Sequence, residues 1–463
     1  MFRVTVKCNG EESVCEYSAP VLAADVLSDA KIMIKKPCGG KGICGKCKIK
    51  LNGKEVLACR TYIEKDSLIE YTHQNQSVNG ITDGFTAEFK KDPIIDCGYG
   101  AAIDIGTTTV AGYIYKFPEC ILAKSLCLPN PQAQFGADVI SRIEYYKNGG
   151  GETLKKSIAD TICKLTKGFE IERYVICGNT AMIYLLTGTD PNELGRAPYS
   201  ARYTFGKWYD NAYIVHCPSA FVGGDITSAV LSSGLIENNT ALLVDIGTNG
   251  EMVLKHNDKL CYCSTAAGPC FEGAGIDCGM TASDGAINRV NAGKELVYET
   301  IGNVAPTGVC GTGLIDSVAA LLRMGIIDSD GYMKDNAHFG KSGIYISPRD
   351  VRNFQLAKSA IRTGIDTLIN HVGIRYEDIE VLYIAGGFGN FLRIESAVKT
   401  GLIPSKLAGK AKAIGNAAGM GAAMMLQSKE KLCLSEKLLD GAQAVTLYDN
   451  EYFIEKYIDN MGF

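Results

Sequence analysis

The sequence predicts a small α+β module followed by a larger α/β domain made of two similar lobes. The chain of 463 residues is long enough for two or three packed domains. Short strands and one helix alternate in its first part, and a strand that ends in an Asp-Ile-Gly-Thr turn occurs twice in the remainder. The predicted boundaries are 1–85 for the module, 86–97 for a linker and 98–463 for the domain, with lobes at approximately 98–235 and 236–463.

Composition and charge exclude several classes of protein. With 46% hydrophobic residues and a formal net charge of −4, the chain is neither disordered nor a whole-chain nucleic-acid binder. No run reaches the roughly 18 apolar residues of a membrane span, because Arg323 interrupts the best candidate, SVAALLRMGII. The N-terminus has no signal-peptide pattern. We therefore expect a cytoplasmic protein with reduced cysteines that binds neither nucleic acid nor membrane.

The first 85 residues contain two strands, a helix and a hairpin in that order. The predicted elements are Phe2 to Lys7, Val14 to Tyr17, Ala23 to Ala30, Lys48 to Leu51 and Glu55 to Leu57, with turn signals at Asn9-Gly10 and Asn52-Gly53. This order is compatible with a small β-grasp module. The polar stretch THQNQSVNG that follows is typical of a connecting segment.

Four cysteines of the module have metal-ligand spacing. Cys38, Cys44, Cys47 and Cys59 follow the pattern C-x5-C-x2-C-x11-C in a glycine-rich loop and the hairpin after it. Four thiolates suit a [2Fe–2S] cluster, and nearby glycines allow backbone N–H groups to approach the sulfur atoms. Zinc is the main alternative, but structural zinc sites usually pair two C-x₂₋₄-C knuckles and this loop has one. The pattern therefore predicts a ferredoxin-like [2Fe–2S] module.

A repeated motif predicts the two lobes. The stretches AAIDIGTTT and ALLVDIGTNG share an apolar run followed by Asp-Ile-Gly-Thr, and their aspartates, Asp104 and Asp245, are 141 residues apart. Each half also contains a Gly-Gly pair after an apolar run, at Gly223-Gly224 and Gly386-Gly387. An internal duplication explains both repeats and implies two α/β lobes around a cleft.

The two Asp-Ile-Gly-Thr turns predict a nucleotide site. Asp104 with Thr107 and Thr108 would face Asp245 with Thr248 and Asn249 across the cleft. Two facing aspartates would repel bare phosphate, but they suit Mg²⁺, which binds carboxylates and phosphate oxygens and keeps several waters. A purely structural alternative is that each aspartate caps the turn after a buried strand. The later AGGFGN segment, with Gly386, Gly387 and Phe388, would contact adenine or ribose.

Eight sequence blocks, in their order along the chain, resemble those of the ATP-dependent reductive activators of corrinoid proteins, which belong to the actin, Hsp70 and sugar-kinase superfamily of ATPases. The blocks are NPQAQFGADVISRI (130–143), CGNTAM (177–182), FVGGDI (221–226), DIGTNGE (245–251), AAGPCFEGA (266–274), GVCGTGLID (308–316), AGGFG (385–389) and GNAAG (415–419). The resemblance extends over nearly the whole chain, including the cysteine module.

The resemblance implies a β-grasp ferredoxin-like domain followed by duplicated ribonuclease H-like subdomains of an actin-like ATPase. It also implies one-electron reduction of a corrinoid protein from Co(II) to Co(I), which restores a methyltransferase system, with an external low-potential electron donor and a homodimeric enzyme. The implied cofactors are a [2Fe–2S] cluster, ATP and Mg²⁺. The implied site residues are Asp104 and Asp245 for catalysis and Mg²⁺, and Thr107, Thr108, Thr248, Asn249, Gly311, Gly386, Gly387 and Phe388 for the nucleotide. Larger family members carry a linker and a middle domain after the ferredoxin region, whereas about a dozen residues separate the two parts here, so the chain resembles a short form.

Two other functions are compatible with the sequence. The chain could donate electrons under ATP control to another low-potential metalloenzyme. A small-molecule kinase with a structural cluster is the alternative from a different class, with Asp225 or Asp316 as the base that activates the acceptor. Nothing in the sequence marks a sugar site.

Overall fold

The computed structural model of this protein describes residues 1–8, 10–30, 32, 34, 42, 47–71, 82–136, 138–387 and 391–463. Three residues that the sequence assigns to sites, Cys38, Cys44 and Phe388, lie outside the described residues.

The N-terminal part is a twisted sheet that covers one helix. Its described strands form a five-stranded sheet in the order β2-β1-β7-β4-β5, in which β1 and β7 are parallel. Val4, Val6 and Ile69 of the central strands are buried together with Leu27 of the helix. The elements are β1 (Phe2–Cys8), β2 (Glu11–Tyr17), β3 (Val21–Leu22), α1 (Ala23–Asp29), β4 (Lys48–Leu51), β5 (Lys54–Leu57), β6 (Tyr62–Ile63) and β7 (Ser67–Tyr71).

The predicted elements of this part are present, and the sequence reading missed its central strand. The pairs β1–β2 and β4–β5 are antiparallel, the turn between β4 and β5 lies at the predicted Asn52-Gly53 signal, and α1 ends one residue before its predicted end. The strand β7 was not predicted, because SLIEY is short and has little alternation. It nevertheless lies between β1 and β4 and completes the sheet.

The first lobe is built on a sheet whose described strands have the order β10-β9-β8-β11-β13-β12. Strands β8, β9 and β10 form an antiparallel meander, and β11 runs parallel to β8. The elements are β8 (Gly98–Ile105), β9 (Thr109–Phe117), β10 (Ile121–Pro129), α2 (Val139–Tyr145), α3 (Gly151–Leu165), β11 (Ile171–Gly178), α4 (Thr180–Thr187), β12 (Lys207–Tyr209), β13 (Ala212–Ile214) and α5 (Gly224–Ser233).

The second lobe repeats this topology and adds a small sheet. Strands β14, β15 and β16 form the antiparallel meander, and β22 and β23 follow in parallel, so the described order is β23-β22-β14-β15-β16-β24. The elements are β14 (Thr240–Ile246), β15 (Gly250–His256), β16 (Lys259–Thr265), β17 (Ala286–Asn291), β18 (Val297–Thr300), β19 (Gly308–Val309), α6 (Gly311–Arg323), β20 (Ala337–His338), β21 (Tyr345–Ile346), α7 (Pro348–Val372), β22 (Val381–Gly386), α8 (Ile394–Lys399), β23 (Ala411–Gly415), α9 (Ala417–Gln427), α10 (Lys429–Ser435), β24 (Gln443–Ala444) and α11 (Glu451–Asp459).

The predicted duplication is confirmed by this shared topology. One detail of the prediction is wrong, since the two Gly-Gly pairs do not occupy equivalent positions. The strand β22, which ends at Gly386, corresponds to β11, which ends at Gly178, whereas Gly223 and Gly224 begin α5. An apolar run followed by Gly-Gly therefore marks a strand end in the second lobe and a helix start in the first.

Helices α5 and α9 join the two lobes. Their apolar residues lie in one core with residues of both sheets, including Ala102, Leu243 and Tyr383. The helices cross closely because a Cβ atom at Gly421 would lie 2.0 Å from the carbonyl oxygen of Ser228. The Ser232 hydroxyl also donates to the carbonyl of Ala417, at 2.7 Å. This interlobe pair begins, at both helix N-termini, beside the cleft described below.

The segment 82–97 is bound to the interlobe pair. Its backbone N–H groups at Phe85, Ala87 and Asp92 donate to carbonyl groups of Ile414, Ser232 and Gln427, at 2.8–2.9 Å. The segment that leads from the N-terminal part therefore contacts both α5 and the end of α9. Within the described residues, no helix is long and apolar enough to cross a membrane.

Candidate functional site

Two turns, one from each lobe, form opposite walls of a cleft. The first connects β8 to β9, and its Gly106 N–H donates to the carbonyl of Thr109 at 2.9 Å. The second connects β14 to β15, and its Gly247 N–H donates to the carbonyl of Asn249 at the same distance. The predicted phosphate-contacting residues Thr107, Thr108, Thr248 and Asn249 all line a cavity of about 610 Å³ between the lobes.

Carboxyl groups from different elements meet in this cavity. Asp104 and Asp245 are the penultimate residues of β8 and β14, and both line the cavity, as the duplication predicts. The sequence reading missed Glu251, at the start of β15, and considered Asp225, in the first turn of α5, only as a kinase base, yet both also line the cavity. Lys, Arg and His are absent from the lining among the described residues.

Burial and mutual repulsion raise the pKa of these groups. Burial raises the pKa of Asp245 to about 8, with further contributions from the charges of Asp225 and Asp104. Burial raises the pKa of Asp104 to about 7 and that of Asp225 to about 6, and it raises the pKa of Glu251 well above its usual value. A group of buried acids with no basic side chain in the described lining is suited to a metal cation.

The arrangement fits Mg²⁺ bound with its water. No three His, Cys, Asp or Glu side chains of the described residues lie close enough together to hold one metal ion directly. Mg²⁺ typically keeps several waters and uses one or two carboxylates together with substrate phosphates. Asp104 and Asp245, on opposite walls, are therefore suited to hold a hydrated cation that also binds a phosphate chain.

Glu272 links the two turns. Its carboxylate accepts a hydrogen bond from the Thr108 hydroxyl of the first lobe. It also accepts from the backbone N–H and the hydroxyl of Thr248 of the second lobe, each at 3.1 Å. The sequence reading missed this residue, although it lies in the block AAGPCFEGA. Glu272 thus occupies donors that the prediction assigns to phosphate oxygens.

Glycines keep the strand ends clear on both sides. A Cβ atom at Gly386 would lie 2.4 Å from the carbonyl oxygen of Ile246 and 2.9 Å from Asp245 Oδ1. The equivalent position in the first lobe, Gly178, would place a Cβ atom 2.5 Å from the carbonyl oxygen of Ile105. Gly387 lines the cavity and has open space where a side chain would lie.

The predicted nucleotide residue Gly311 begins α6, and it lines the cavity with Thr312. Asp316 lies one turn further along α6 and is not part of the cavity lining. Its buried carboxylate accepts hydrogen bonds from the guanidinium of Arg393, including one from Nε at 2.8 Å. Asp316 is therefore held in an ion pair and is not available as a base in the cleft.

Two of the four predicted cluster cysteines are described, and they lie together. Cys47, just before β4, and Cys59, in a short 3₁₀-helix after β5, are buried with their Sγ atoms 3.2 Å apart. A hydrogen bond of 2.8 Å from Ala58 N–H to the Cys47 carbonyl holds the two backbones together. The two cysteines do not form a disulfide with each other, so this pair fits two ligands of one metal centre.

The two lobes share one topology, and each brings an aspartate and a hydroxyl-bearing turn to the cleft. These features define the two-lobed ATPase class that includes actin, Hsp70 and the sugar kinases. A family model described as the C-terminal domain of RACo, the ASKHA domain, matches residues 239–463, and a second, described as the RACo middle region, matches residues 99–238. The chain therefore contains two RACo-family domains, which together extend over residues 99–463.

Relatives and a solved structure agree with the family models. The corrinoid activation enzyme RamQ of Eubacterium limosum is 29% identical over 581 aligned positions, which cover 98% of each chain. A Methanosarcina barkeri protein named [Co(II) methylated amine-specific corrinoid protein] reductase is 28% identical over 66% of each chain. The solved structure of a reductive activator for corrinoid, iron-sulfur protein has a TM-score of 0.74 and 28% identity, and the match covers 100% of this chain and 98% of that one.

These matches correct one expectation about the middle domain. A region that the family models call the middle region is present here, in the residues that the sequence reading assigns to the first lobe. The RamQ alignment is nevertheless longer than the 463 residues of this chain, so that relative contains segments that this chain lacks. The chain thus lacks segments of RamQ without lacking the middle region.

Proposed function

We propose that this protein is an ATP-dependent reductive activator that reduces the corrinoid of a partner protein from Co(II) to Co(I) and so restores a methyltransferase system. The single observation that carries the proposal is the presence, in one chain, of an acid-lined interlobe cleft and a buried pair of thiols at predicted cluster positions. The names of two relatives support it, since RamQ is named a corrinoid activation enzyme and the Methanosarcina barkeri protein is named a reductase of a Co(II) corrinoid protein.

In this proposal the cleft binds Mg²⁺ and ATP. Asp104 and Asp245 hold the hydrated cation, because burial and, to a smaller extent, neighbouring carboxylates raise their pKa values, and a divalent ion would neutralise these buried charges. The hydroxyl and N–H groups of the two turns then contact phosphate oxygens, and those of Thr108 and Thr248 must first leave the Glu272 carboxylate that accepts from them in the nucleotide-free protein. Gly386, Gly387 and Phe388 contact the adenosine part, and the N-terminus of α6 at Gly311 adds backbone N–H groups.

The N-terminal part would be a ferredoxin-like domain, with Cys38, Cys44, Cys47 and Cys59 as the ligands. When bound, a [2Fe–2S] cluster accepts and releases one electron at a time. The chain's own contribution is to bury Cys47 and Cys59 at the edge of the sheet core, beside Ala58 and Ile49, where solvent is excluded. Burial and hydrogen bonding to sulfur are the means by which a protein sets the potential of such a group.

ATP is needed because the proposed reduction is uphill. Moving one electron uphill by about 200 mV costs roughly 4.6 kcal/mol, at about 59 mV for each factor of ten. A ligand can supply such a difference only if it favours one conformation over another. The interlobe pair α5 and α9 provides a physical link for this, since Asp225 near the start of α5 and Asn416 just before α9 both line the cavity.

The proposed partners are a corrinoid protein of a methyltransferase system and an external low-potential electron donor, and the family resemblance supports a homodimer. The kinase alternative is less well supported. Asp316 is paired with Arg393 outside the cavity lining, and Asp225 accepts a hydrogen bond of 2.8 Å from the backbone N–H of Ile226 among other acids.

The ATP site is tested with Asp104→Ala and Asp245→Ala. Each variant should lower Mg²⁺-dependent ATP hydrolysis at least tenfold in the presence of a cognate corrinoid protein, because each removes a carboxylate from the metal–phosphate assembly. Asp258→Ala is the matched control, since this exposed aspartate lies in the turn between β15 and β16 of the same sheet. Unchanged nucleotide binding and hydrolysis in both site variants would show that the cleft is not the ATP site.

A further inference from the structure

A buried arginine lies directly behind the first turn of the cleft. Arg142, on α2, has no exposed surface. Its guanidinium donates from Nε to the carbonyl of Gly136 at 2.9 Å and from an Nη atom to the carbonyl of Thr107 at 2.5 Å. The other Nη atom contacts Met182 Sδ at 3.1 Å and Gln132 Oε1 at 3.5 Å. Every contact is therefore to a neutral group.

This arginine forms no direct ion pair in the part of the chain that the structure describes. The ion pairs found there do not include Arg142, so no described carboxylate oxygen lies within 4.0 Å of its nitrogen atoms. A fully buried charge without a partner is costly, and such charges are normally paired. Burial lowers the pKa of Arg142 to about 10, although the more distant charges of Asp138 and Glu272 act in the opposite direction, so the group is still a cation at neutral pH.

The position of Arg142 indicates which kind of ligand its charge would stabilise. The guanidinium holds the carbonyl of Thr107, and Thr107 itself lines the cavity. Asn130 fastens the same turn, since its side chain donates to the carbonyl of Gly106 at 2.8 Å. Because the described lining contains acids and no basic side chain, a phosphate chain in the cavity would meet repulsion that Mg²⁺ must offset. Arg142 is a fixed positive charge that lies behind the Thr107 turn, outside the cavity lining.

We propose that Arg142 is the built-in counter-charge of the nucleotide phosphates, acting through the Thr107 turn rather than by touching the ligand. It is a positioning residue, and the inference rests on the proposed ATP site. The charge of Arg142 would strengthen binding more for ligands that carry more phosphate groups. It would also hold the turn in place in the nucleotide-free protein, through the hydrogen bonds to Thr107 and Gly136.

The test compares Arg142→Gln with Arg142→Lys, because both lose the planar fork and only the lysine keeps the charge. Dissociation constants for ATP, ADP and adenosine are measured by isothermal titration calorimetry on the full-length anaerobic protein. Arg142→Gln should raise the dissociation constant of ATP at least tenfold, raise that of ADP less, and leave that of adenosine within twofold of the wild-type value. For Arg142→Lys, all three dissociation constants should stay within about threefold of wild type. Arg202→Gln, an exposed arginine of the same lobe, is the control and should change none of them.

Two results would overturn the inference. If Arg142 has only a structural role, Arg142→Gln and Arg142→Lys should weaken the binding of ATP and the binding of adenosine by the same factor. If Arg142→Gln does not fold, competition of tripolyphosphate with a fluorescent ADP analogue on the wild type decides instead, and no competition at millimolar concentration rejects the counter-charge. Failure of the wild type to bind ATP at all would reject the ATP site of the proposed function, whereas wild-type binding with an unchanged phosphate preference in Arg142→Gln rejects only the role of Arg142.

Discussion

Replacing Asp245 by Asn should stabilise the nucleotide-free protein while it abolishes turnover. Burial and neighbouring acids raise the pKa of Asp245 from 3.8 to about 8. An acid with a raised pKa binds its proton more tightly in the folded state, so the wild type loses stability as the pH rises from about 4 to 8. At 1.36 kcal/mol for each pKa unit, the loss at pH 8 is on the order of 5 kcal/mol.

The free energy of unfolding that Asp245→Asn gains should be smaller than the free energy that the wild type loses at pH 8. A buried amide without a full set of hydrogen bonds costs roughly 1–3 kcal/mol, so Asp245→Asn should raise the free energy of unfolding by about 2–4 kcal/mol at pH 8. At pH 5 the wild-type group is largely protonated when folded, and the gain should vanish or change sign. Mg²⁺ and ADP should stabilise the wild type more than the variant, since the variant lacks one carboxylate for the cation.

The assay is anaerobic urea unfolding in EDTA at pH 5 and pH 8. Circular dichroism follows the whole chain, and fluorescence of the single tryptophan, Trp208, reports on the first lobe. Asp258→Asn, in an exposed turn of the second sheet, should show no pH-dependent difference from wild type. The reasoning is refuted if Asp245→Asn is less stable than wild type at pH 8, or if its stability difference is the same at both pH values.

Two further predictions concern the thiol pair and the interlobe helices. Purified anaerobic wild type should contain about two irons and two labile sulfides per chain and give one S = ½ signal on one-electron reduction, and Cys59→Ser should lose the cluster because it removes half of the buried pair. Stoichiometric zinc without sulfide would contradict this assignment. Gly421→Val should destabilise the protein by roughly 1–3 kcal/mol in urea unfolding, because its Cβ atom would lie 2.0 Å from the carbonyl oxygen of Ser228. Unchanged stability would show that the α5–α9 contact is loose.

The duplicated lobes could be predicted from the sequence because each Asp-Ile-Gly-Thr turn follows an apolar strand, and a strand end is a local feature. The same reasoning placed Asp104 and Asp245 at one cleft, where the structure has both. Glu251 and Glu272 were missed because they lie in ordinary strand and loop sequences. Only the fold brings them to the turns, where Glu272 accepts hydrogen bonds from Thr108 of one lobe and Thr248 of the other.

The role of Arg142 could not be predicted for a different reason. In sequence it is one basic residue in an amphipathic helix, and such residues are usually exposed. Its burial depends on Gly136 and Met182, which reach it from a loop and from another helix. The central strand β7 was missed because its position between β1 and β4 is set by pairing with distant segments rather than by its own pattern.

The most direct test of the proposed function follows the absorbance of Co(I) on a cognate corrinoid protein under a mild reductant. Wild type should form Co(I) only when reductant and hydrolysable ATP are both present, and the Co(II) protein should stimulate ATP hydrolysis. Asp245→Ala and Cys59→Ser should each fail, the first for lack of ATP turnover and the second for lack of an electron carrier, whereas Asp258→Ala should behave as wild type. Equal Co(I) yield with and without ATP, across several candidate corrinoid proteins, would contradict the proposal that ATP drives the reduction.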